Sequence, residues 1–242
     1  MADAVSEAPS PDSVVRAAVT AFARDGYASV TVETLAKQTR MTKRMIHYHF
    51  GDKRGLYVAA LRHALGQLAP PENVLNRSFA VPVEGMRRFV DALYHTCLDN
   101  PDAVRLVLRE NLDPAVEADD AALLTDAREV ALHAERLLLA GQDAGAFRPG
   151  ITAVDLLALI VSLCFFRVGN GVTAQHLSRV DLGSRRNVDG MRRMVIDTVL
   201  AFLTSNISYS GYESYLEPSP APAEAAEPDE LFDIYGEDGR IV

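Results

Sequence analysis

The residues with the clearest chemistry in this sequence are the basic side chains between positions 37 and 54. The stretch holds every lysine of the chain and only one acid, Asp52, although the whole chain has a formal net charge of −9. Its basic residues are Lys37, Arg40, Lys43, Arg44, Lys53 and Arg54. A positive cluster on an acidic protein is typical of a surface that binds phosphate groups. The alternative is a solvated charged helix, which is the commoner role of a run of charge.

Two short helices joined by a tight turn are needed to present these side chains. Thr31 is suited to cap the first helix, and Thr42 is suited to cap the second. The apolar face of the first helix is predicted to carry Val32, Leu35 and Ala36, and the turn is Thr39-Arg40-Met41. The second helix is predicted to turn Ile46, His49 and Phe50 inward, and Lys43, Arg44, His47 and Tyr48 outward. This arrangement is the helix-turn-helix pattern.

Residues 12–65 resemble the DNA-binding part of the tetracycline-repressor (TetR) family of bacterial transcription regulators. The matches to the family pattern are Thr31, Val32, Leu35 and Ala36, followed by Met41, Thr42, Ile46, His49, Phe50, Lys53 and Leu56. The sequence departs from the pattern with Arg40 and Arg44 in place of glycine, Met45 in place of threonine, and His47 in place of tyrosine. If the backbone at Arg40 is left-handed, a residue other than glycine costs about 1 kcal/mol there.

The charge pattern and the resemblance together predict which residues contact DNA. Lys43 and Lys53 are expected to bind phosphates, and Arg44 is expected to read guanine through two hydrogen bonds. Met45 and Tyr48 are expected to touch thymine methyl groups. The full predicted set is Thr31, Arg40, Thr42, Lys43, Arg44, Met45, His47, Tyr48 and Lys53.

The composition predicts an all-α protein. Hydrophobic residues make up 48% of the 242 residues, tryptophan is absent, and no segment shows sustained two-residue alternation. We expect a disordered N-terminus over 1–11, a helix-turn-helix head over 12–67 and a helical body over 68–210. An acidic, proline-rich tail over 211–242 is expected to be disordered. The resemblance implies that the body binds an effector and forms a dimer.

Several features favour a cytoplasmic protein without membrane contact. Two cysteines, Cys97 and Cys164, are too few for a disulfide scaffold. The first residues lack the apolar core of a signal peptide. The longest apolar run, 156–166, is shorter than the roughly 20 residues that a bilayer requires.

The body is predicted to consist of helices over 82–99, 101–113, 117–141, 152–170 and 187–207, after a loop over 70–81. The last two helices are apolar on two sides, so each is expected to face its own domain and a second subunit. The resemblance implies that they pair with their copies in a homodimer, which a two-fold DNA site also requires. A monomer with deeply buried helices is the alternative.

The sequence carries no recognisable catalytic, metal-binding or cofactor motif, so we expect no enzyme, no metal and no cofactor. The resemblance implies a small-molecule effector site among the body helices. Candidates are polar or aromatic residues on or beside apolar stripes: Tyr94, Cys97, Arg105, His133, Phe165 and Phe166. The alternative for each is core packing or, for Arg105, a solvated surface.

The leading hypothesis is therefore a homodimeric repressor that leaves a near-palindromic DNA operator when an effector binds. One alternative is a DNA-binding regulator without a small ligand, acting through a protein partner or the acidic tail. Another is a helical interaction protein that has lost DNA binding. The tail has nine acids and one arginine over 211–242, so it is also a candidate competitor of DNA for the basic head.

Overall fold

A computed structural model describes residues 10–75, 80–116, 128–208, 211 and 214–216 of the chain. Regular structure within these ranges is helical throughout, which confirms the predicted fold class. The helices are α1 (Pro11–Ser29), α2 (Val32–Thr39), α3 (Lys43–Phe50), α4 (Lys53–Leu68), α5 (Glu72–Leu75), α6 (Pro82–Asp99), α7 (Pro101–Leu112), α8 (Arg128–Asp143), α9 (Ala153–Ser178) and α10 (Arg185–Thr204).

The first helix begins earlier than the sequence analysis places it. The cap is Ser10, whose hydroxyl accepts a hydrogen bond from the Ser13 N–H at 3.1 Å, while the Ser13 hydroxyl receives the Ser10 N–H in return. Pro11 occupies the first turn, where its missing N–H costs no helical hydrogen bond. Residues 10 and 11 thus belong to α1 and its cap, and residues 1–9 lie outside the described part of the chain.

Helix α9 continues eight residues beyond its predicted end, through Gly169-Asn170-Gly171. In the sequence, these residues predict the end of a helix. In the structure, however, a Cβ added to Gly169 would lie 3.3 Å from a Leu108 methyl group. The glycine therefore allows close approach of α7 rather than ending the helix. The helix ends at Arg179, whose backbone is left-handed. A smaller difference is the short α5 in the predicted 70–81 loop. The predicted 117–141 helix is described as α8 from Arg128 to Asp143, and its 117–127 part lies outside the described residues.

Helix α9 is long and apolar enough to cross a membrane when only length and composition are considered. The prediction considered the shorter run 156–166, and the extension to Ser178 accounts for the difference. In the fold, Leu156, Ile160 and Cys164 on one side are at most 3% exposed. Another side leaves Val154 46% exposed and Val172 70% exposed. The helix therefore combines a face in the body core with an apolar face at the surface.

Two hydrophobic clusters organise the fold, and α7 takes part in both. The first cluster packs α1 to α4 around Phe22 and Tyr57 and includes Leu106 of α7. The second packs α6, α8, α9 and α10 around Phe89 and includes Val104 of α7. By its place in the sequence, helix α7 thus belongs to the body, but it also packs against the helices of the head.

The end of the chain returns to the body after α10. The Asp155 carboxylate is buried and accepts hydrogen bonds from the backbone N–H groups of Tyr215 at 3.1 Å and Leu216 at 2.7 Å. The Arg148 guanidinium donates to the Tyr215 hydroxyl at 2.9 Å and lies 4.6 Å over the Phe202 ring. Residues 214–216 are therefore docked, although the sequence places them in a disordered tail. Residues 212–213 and 217–242 of that tail lie outside the described residues.

Two arginines hold a left-handed backbone that glycine adopts more readily. Arg40 has φ 58° at the end of α2, and Arg179 has φ 54° at the end of α9. The L side chain is strained in this region because Cβ approaches the following carbonyl oxygen. The departure from glycine at position 40 therefore carries the expected energetic cost.

We expect Arg40→Gly to raise the free energy of unfolding by about 1 kcal/mol, because it removes this strain. The matched control is Lys37→Gly, which removes the same charge from an exposed position within α2 and should lower stability by about 1 kcal/mol. Urea unfolding followed by circular dichroism measures both. A loss of stability in Arg40→Gly equal to that of the control would contradict the assignment of strain.

Candidate nucleic-acid interface and effector cavity

The two helices of the predicted DNA-binding unit are each fixed by a threonine cap. The Thr31 hydroxyl accepts from the Thr34 N–H at 3.2 Å, and the Thr42 hydroxyl accepts from the Met45 N–H at 3.2 Å. Leu35 of α2 and Ile46 of α3 are each 1% exposed and join the head cluster. The buried side chains of Leu35 and Ile46 and the two threonine caps therefore fix how α2 and α3 cross each other.

Helix α3 exposes two large apolar side chains to solvent beside its basic residues. Tyr48 is 79% exposed and Met45 is 43% exposed, although large apolar side chains are usually covered. Arg44 is exposed beside them and makes no hydrogen bond or ion pair within the part of the chain that the structure describes. A guanidinium, a thioether and a phenol ring on one open helix face can read base edges and methyl groups.

Lys43 at the start of α3 is paired within the protein. Its ammonium group donates to the Glu33 carboxylate across the two helices, and both side chains are about half exposed. The hydrogen bond from Lys43 holds the pKa of Glu33 below its usual value. Sequence analysis missed Glu33, whose place in the first turn of α2 gave no sign of the cross-helix pair. A phosphate that binds Lys43 has to replace or join this carboxylate.

Two other predicted residues are held by contacts that shape the head. A ring nitrogen of His47 lies 2.7 Å from the Gly51 carbonyl oxygen, which ties the side chain to the end of α3. The Lys53 ammonium donates to the Ala28 carbonyl at 3.2 Å and lies 4.5 Å over the Tyr27 ring. Lys53 therefore fastens the start of α4 to the end of α1, with two N–H donors remaining for another partner.

The structure gathers the predicted DNA-binding residues around α2, α3 and the start of α4. Lys53 is half-buried. The others are exposed: Thr31, Arg40, Thr42, Lys43, Arg44, Met45, His47 and Tyr48. One prediction about the inner face of α3 is wrong, because His49 is exposed and its ring lies 5.2 Å from that of Tyr48. The cause is the short helix, of which only the Ile46 side is deeply covered.

A largely apolar cavity of about 530 Å³ lies among α4, α6, α7, α8 and α9. Its wall contains Leu65 and Leu68 of α4, Leu93 of α6, Leu108 of α7, Val130 of α8 and Leu157 of α9. Its polar lining residues are Asn111, Ser162 and Asn170. Such a cavity, apolar with a few polar groups, has the size and chemistry of a small-molecule site.

Three of the six candidate effector residues line this cavity: Cys97, Phe165 and Phe166. The other three lie elsewhere. The Tyr94 hydroxyl donates to the Val188 carbonyl at 2.9 Å, and Arg105 is paired with Asp102 at 2.7 Å on the surface. His133 is buried with its ring 5.1 Å from that of Phe89, and burial lowers its pKa.

Sequence analysis missed the asparagines of the cavity and the contacts that join α7 to the head. Asn111 follows Val107 and Leu108 on one helical stripe, so a polar residue on an apolar stripe was the available signal. Arg109 donates to the Ala23 and Arg24 carbonyls, each at 2.7 Å. These contacts join residues that are far apart in the sequence, so no local pattern indicated them.

A second contact joins α7 to α4. The Tyr57 hydroxyl donates to the Glu110 carboxylate at 2.7 Å, and burial together with this hydrogen bond raises the pKa of Tyr57. The same carboxylate accepts from the Val116 N–H at 3.0 Å. Because α4 and α7 also line the cavity, the helices that would touch an effector are the helices that hold the head.

The structure joins two capped helices, the second facing solvent, to a helical body that has its own cavity. This combination defines a helix-turn-helix protein of the DNA-binding class. Two family models match the chain. Bacterial regulatory proteins of the tetR family match residues 14–60, and the tetracyclin repressor-like C-terminal domain matches residues 82–199. The chain belongs to the TetR family of bacterial regulatory proteins, as its motif predicted. This is a family of regulators rather than enzymes.

Individual relatives agree with this membership. The chain is 28% identical to the transcriptional repressor NicS of Pseudomonas putida, over 72% of this chain and 83% of that protein. It is 26% identical to the repressor SCO4008 of Streptomyces coelicolor, over 74% of this chain and 87% of that protein. The fold is similar to that of the regulator PfmR of Thermus thermophilus, with a TM-score of 0.61, 20% identity and coverage of 80% and 97% of the two chains.

Substitutions on α3 can distinguish the two predicted kinds of DNA contact. We expect Lys43→Ala to weaken binding to all DNA sequences and to reduce the salt dependence by about one ion, because a phosphate contact is lost. We expect Arg44→Ala to cost about 1–3 kcal/mol on the preferred sequence and much less on random DNA. Fluorescence anisotropy over a salt series measures both effects.

Glu33→Gln is the control for Lys43, since it frees the ammonium group from its internal partner without removing it. It should strengthen binding to both DNAs. Equal losses for Arg44→Ala on preferred and random DNA would exclude a base-reading role for Arg44.

Proposed function

We propose that this protein is a homodimeric transcriptional repressor that binds a near-palindromic operator and leaves it when a small molecule occupies the body cavity. The observation that carries the proposal is the sharing of α4 and α7 between the basic head and the 530 Å³ cavity. The proposed operator contacts are the exposed residues around α2 and α3, with Arg44, Met45 and Tyr48 at the bases.

Repression by release follows from differential affinity. An effector shifts the protein away from DNA only if it binds better to a body arrangement in which the two heads are misplaced. Helix α7 is suited to transmit this shift, because Leu108 and Asn111 line the cavity while Arg109 and Glu110 hold α1 and α4. That the relatives NicS and SCO4008 are named repressors supports repression over activation. A regulator of operator DNA in bacteria acts in the cytoplasm.

The cavity favours an apolar effector of modest size with one or two polar groups. Phe165 and Phe166 offer aromatic surface, and the amides of Asn111 and Asn170 can donate or accept hydrogen bonds. No lysine, arginine or carboxylate is among the lining residues in the described part of the chain. A strongly charged ligand would therefore lack the partner that a buried charge needs.

Dimerisation is proposed through the outer faces of α9 and α10. These faces leave large apolar side chains in solvent: Val154 at 46%, Val172 at 70% and Met194 at 54% exposure. Large apolar side chains left in solvent can mark an interaction site when they cluster. A two-fold pairing of these faces would place two α3 helices against successive turns of one DNA groove.

The first experiment is fluorescence anisotropy of the full-length protein on the DNA upstream of its own coding sequence. Random DNA of equal length is the control. We expect preference for the upstream DNA and a steep loss of affinity as salt increases, because several phosphates are neutralised. Absence of binding to either DNA at low salt would overturn the proposed function.

We expect Met194→Glu to shift the protein to a monomer at micromolar concentration, since it places a charge in the proposed interface. Sedimentation velocity measures the shift, and circular dichroism should remain unchanged. Leu112→Glu at the end of α7 is the matched control, because Leu112 is 85% exposed and belongs to neither of the proposed interface helices. A dimer that persists in Met194→Glu, or that is lost equally in the control, would place the interface elsewhere.

A further inference from the structure

The two cysteines of the chain meet at the wall of the cavity. Cys97 comes from α6 and Cys164 from α9, 67 positions apart in the sequence, and both line the same 530 Å³ space. Each is a free thiol, with exposures of 7% and 3%. Core packing alone explains a buried cysteine, but it does not explain two thiols placed together at the edge of an open cavity.

The two thiols are chemically unequal. The Cys164 thiol hydrogen-bonds to the Cys97 sulfur, and this bond lowers the pKa of Cys97 despite its burial. The hydroxyl of Thr96 and the charge of Arg167 act in the same direction. The same hydrogen bond, with burial, raises the pKa of Cys164. Cys97 is also the more exposed of the two, and it precedes Leu98, whose carbonyl oxygen lies 3.5 Å from the Arg167 guanidinium. Cys97 is therefore the better placed nucleophile of the pair, with Cys164 beside it as hydrogen-bond donor.

The surroundings suit an uncharged organic molecule. Leu93, Leu157 and Phe165 line the cavity, and Phe166 and Val161 at its mouth are 47% and 40% exposed. The cavity that Cys97 lines is therefore bordered by apolar side chains that are partly open to solvent. The asparagine amides of the wall provide donors for a carbonyl oxygen.

We propose that Cys97 is a covalent capture site for soft organic electrophiles, namely α,β-unsaturated carbonyl compounds such as enones and quinones. The sulfur of Cys97 forms a bond to the β-carbon, and the π electron pair of the C=C bond moves towards the carbonyl oxygen as an enolate. The proton that left the thiol is returned by water to the α-carbon. The S–H bond is thereby added across the double bond, and neither oxidant nor reductant takes part.

Cys164 acts as a positioning residue in this step. Its thiol donates to the Cys97 sulfur and favours the form that attacks, but it forms no bond to the electrophile. The consequence for DNA rests on the proposed function: an adduct on Cys97 occupies the cavity beside Leu108 of α7, the helix that holds the head. Covalent capture would then release operator DNA.

The experiment treats the full-length protein with N-ethylmaleimide, a small α,β-unsaturated carbonyl probe, and follows the intact mass with time. We expect one adduct on the folded protein, which peptide mapping places on Cys97, and no adduct in Cys97→Ser. DNA affinity is measured on the same samples before and after labelling. The mass measurement does not depend on DNA binding, so failure of capture and failure of the proposed function give different results.

Variants at Cys164 test the positioning role. Cys164→Ser retains a hydrogen-bond donor and should label Cys97 within about threefold of the original rate, whereas Cys164→Ala should label it about tenfold more slowly. Equal rates in the two variants would remove Cys164 from the mechanism.

Two results would overturn the capture site itself. One is labelling of both cysteines at similar rates only after urea unfolding, which is the behaviour of inert core thiols. The other is a Cys97–Cys164 disulfide on treatment with hydrogen peroxide without any maleimide adduct, which would make the pair a redox couple instead.

Discussion

The packing of α7 into both hydrophobic clusters is the constraint on which the rest of the structure depends. Leu106 is fully buried among the head residues, while Val104, on the opposite side of α7, is fully buried among the body residues. Arg109 then bonds to the carbonyls of Ala23 and Arg24, just before the chain turns at Gly26 with φ 81°. A Cβ at Gly26 would lie 3.2 Å from the Arg109 guanidinium, so glycine allows both the turn and the contact. Any movement of α7 is therefore transmitted to the helices of the head.

The charged residues of the head divide into two groups. Of the lysines in the basic stretch, Lys43 is paired with Glu33, and Lys53 is engaged with a carbonyl and an aromatic ring. The open face of α3 is left to Arg44 and to the apolar surfaces of Met45 and Tyr48. Long-range attraction to DNA depends on the sum of these charges, whereas discrimination between sequences depends on the few groups that reach the bases. Under the proposed function, these two roles fall to neighbouring but different side chains.

The body combines a cavity, two unequal thiols and an apolar outer surface in a few turns of α9. Its buried side contributes Ile160 and Cys164 to the core and cavity, and its outer side exposes Val154 and Val172. Nearly uniform hydrophobicity along the helix is thus explained by different demands on different sides. The same hydrophobicity gives α9 the length and composition of a membrane-spanning helix, although part of it is packed in the core.

The sequence by itself determined the helical fold, the two caps at Thr31 and Thr42, and the family, because these depend on local periodicity and on closely spaced residue types. It also indicated the left-handed strain at Arg40. Only the tertiary structure decided which residues share the cavity, since Cys97 and Cys164 come from helices far apart in the chain. It also decided the exposure of His49, the length of α9 past Gly169 and the hold of Arg109 on α1. The physical reason is that these features arise from contacts between distant segments, which no local pattern encodes.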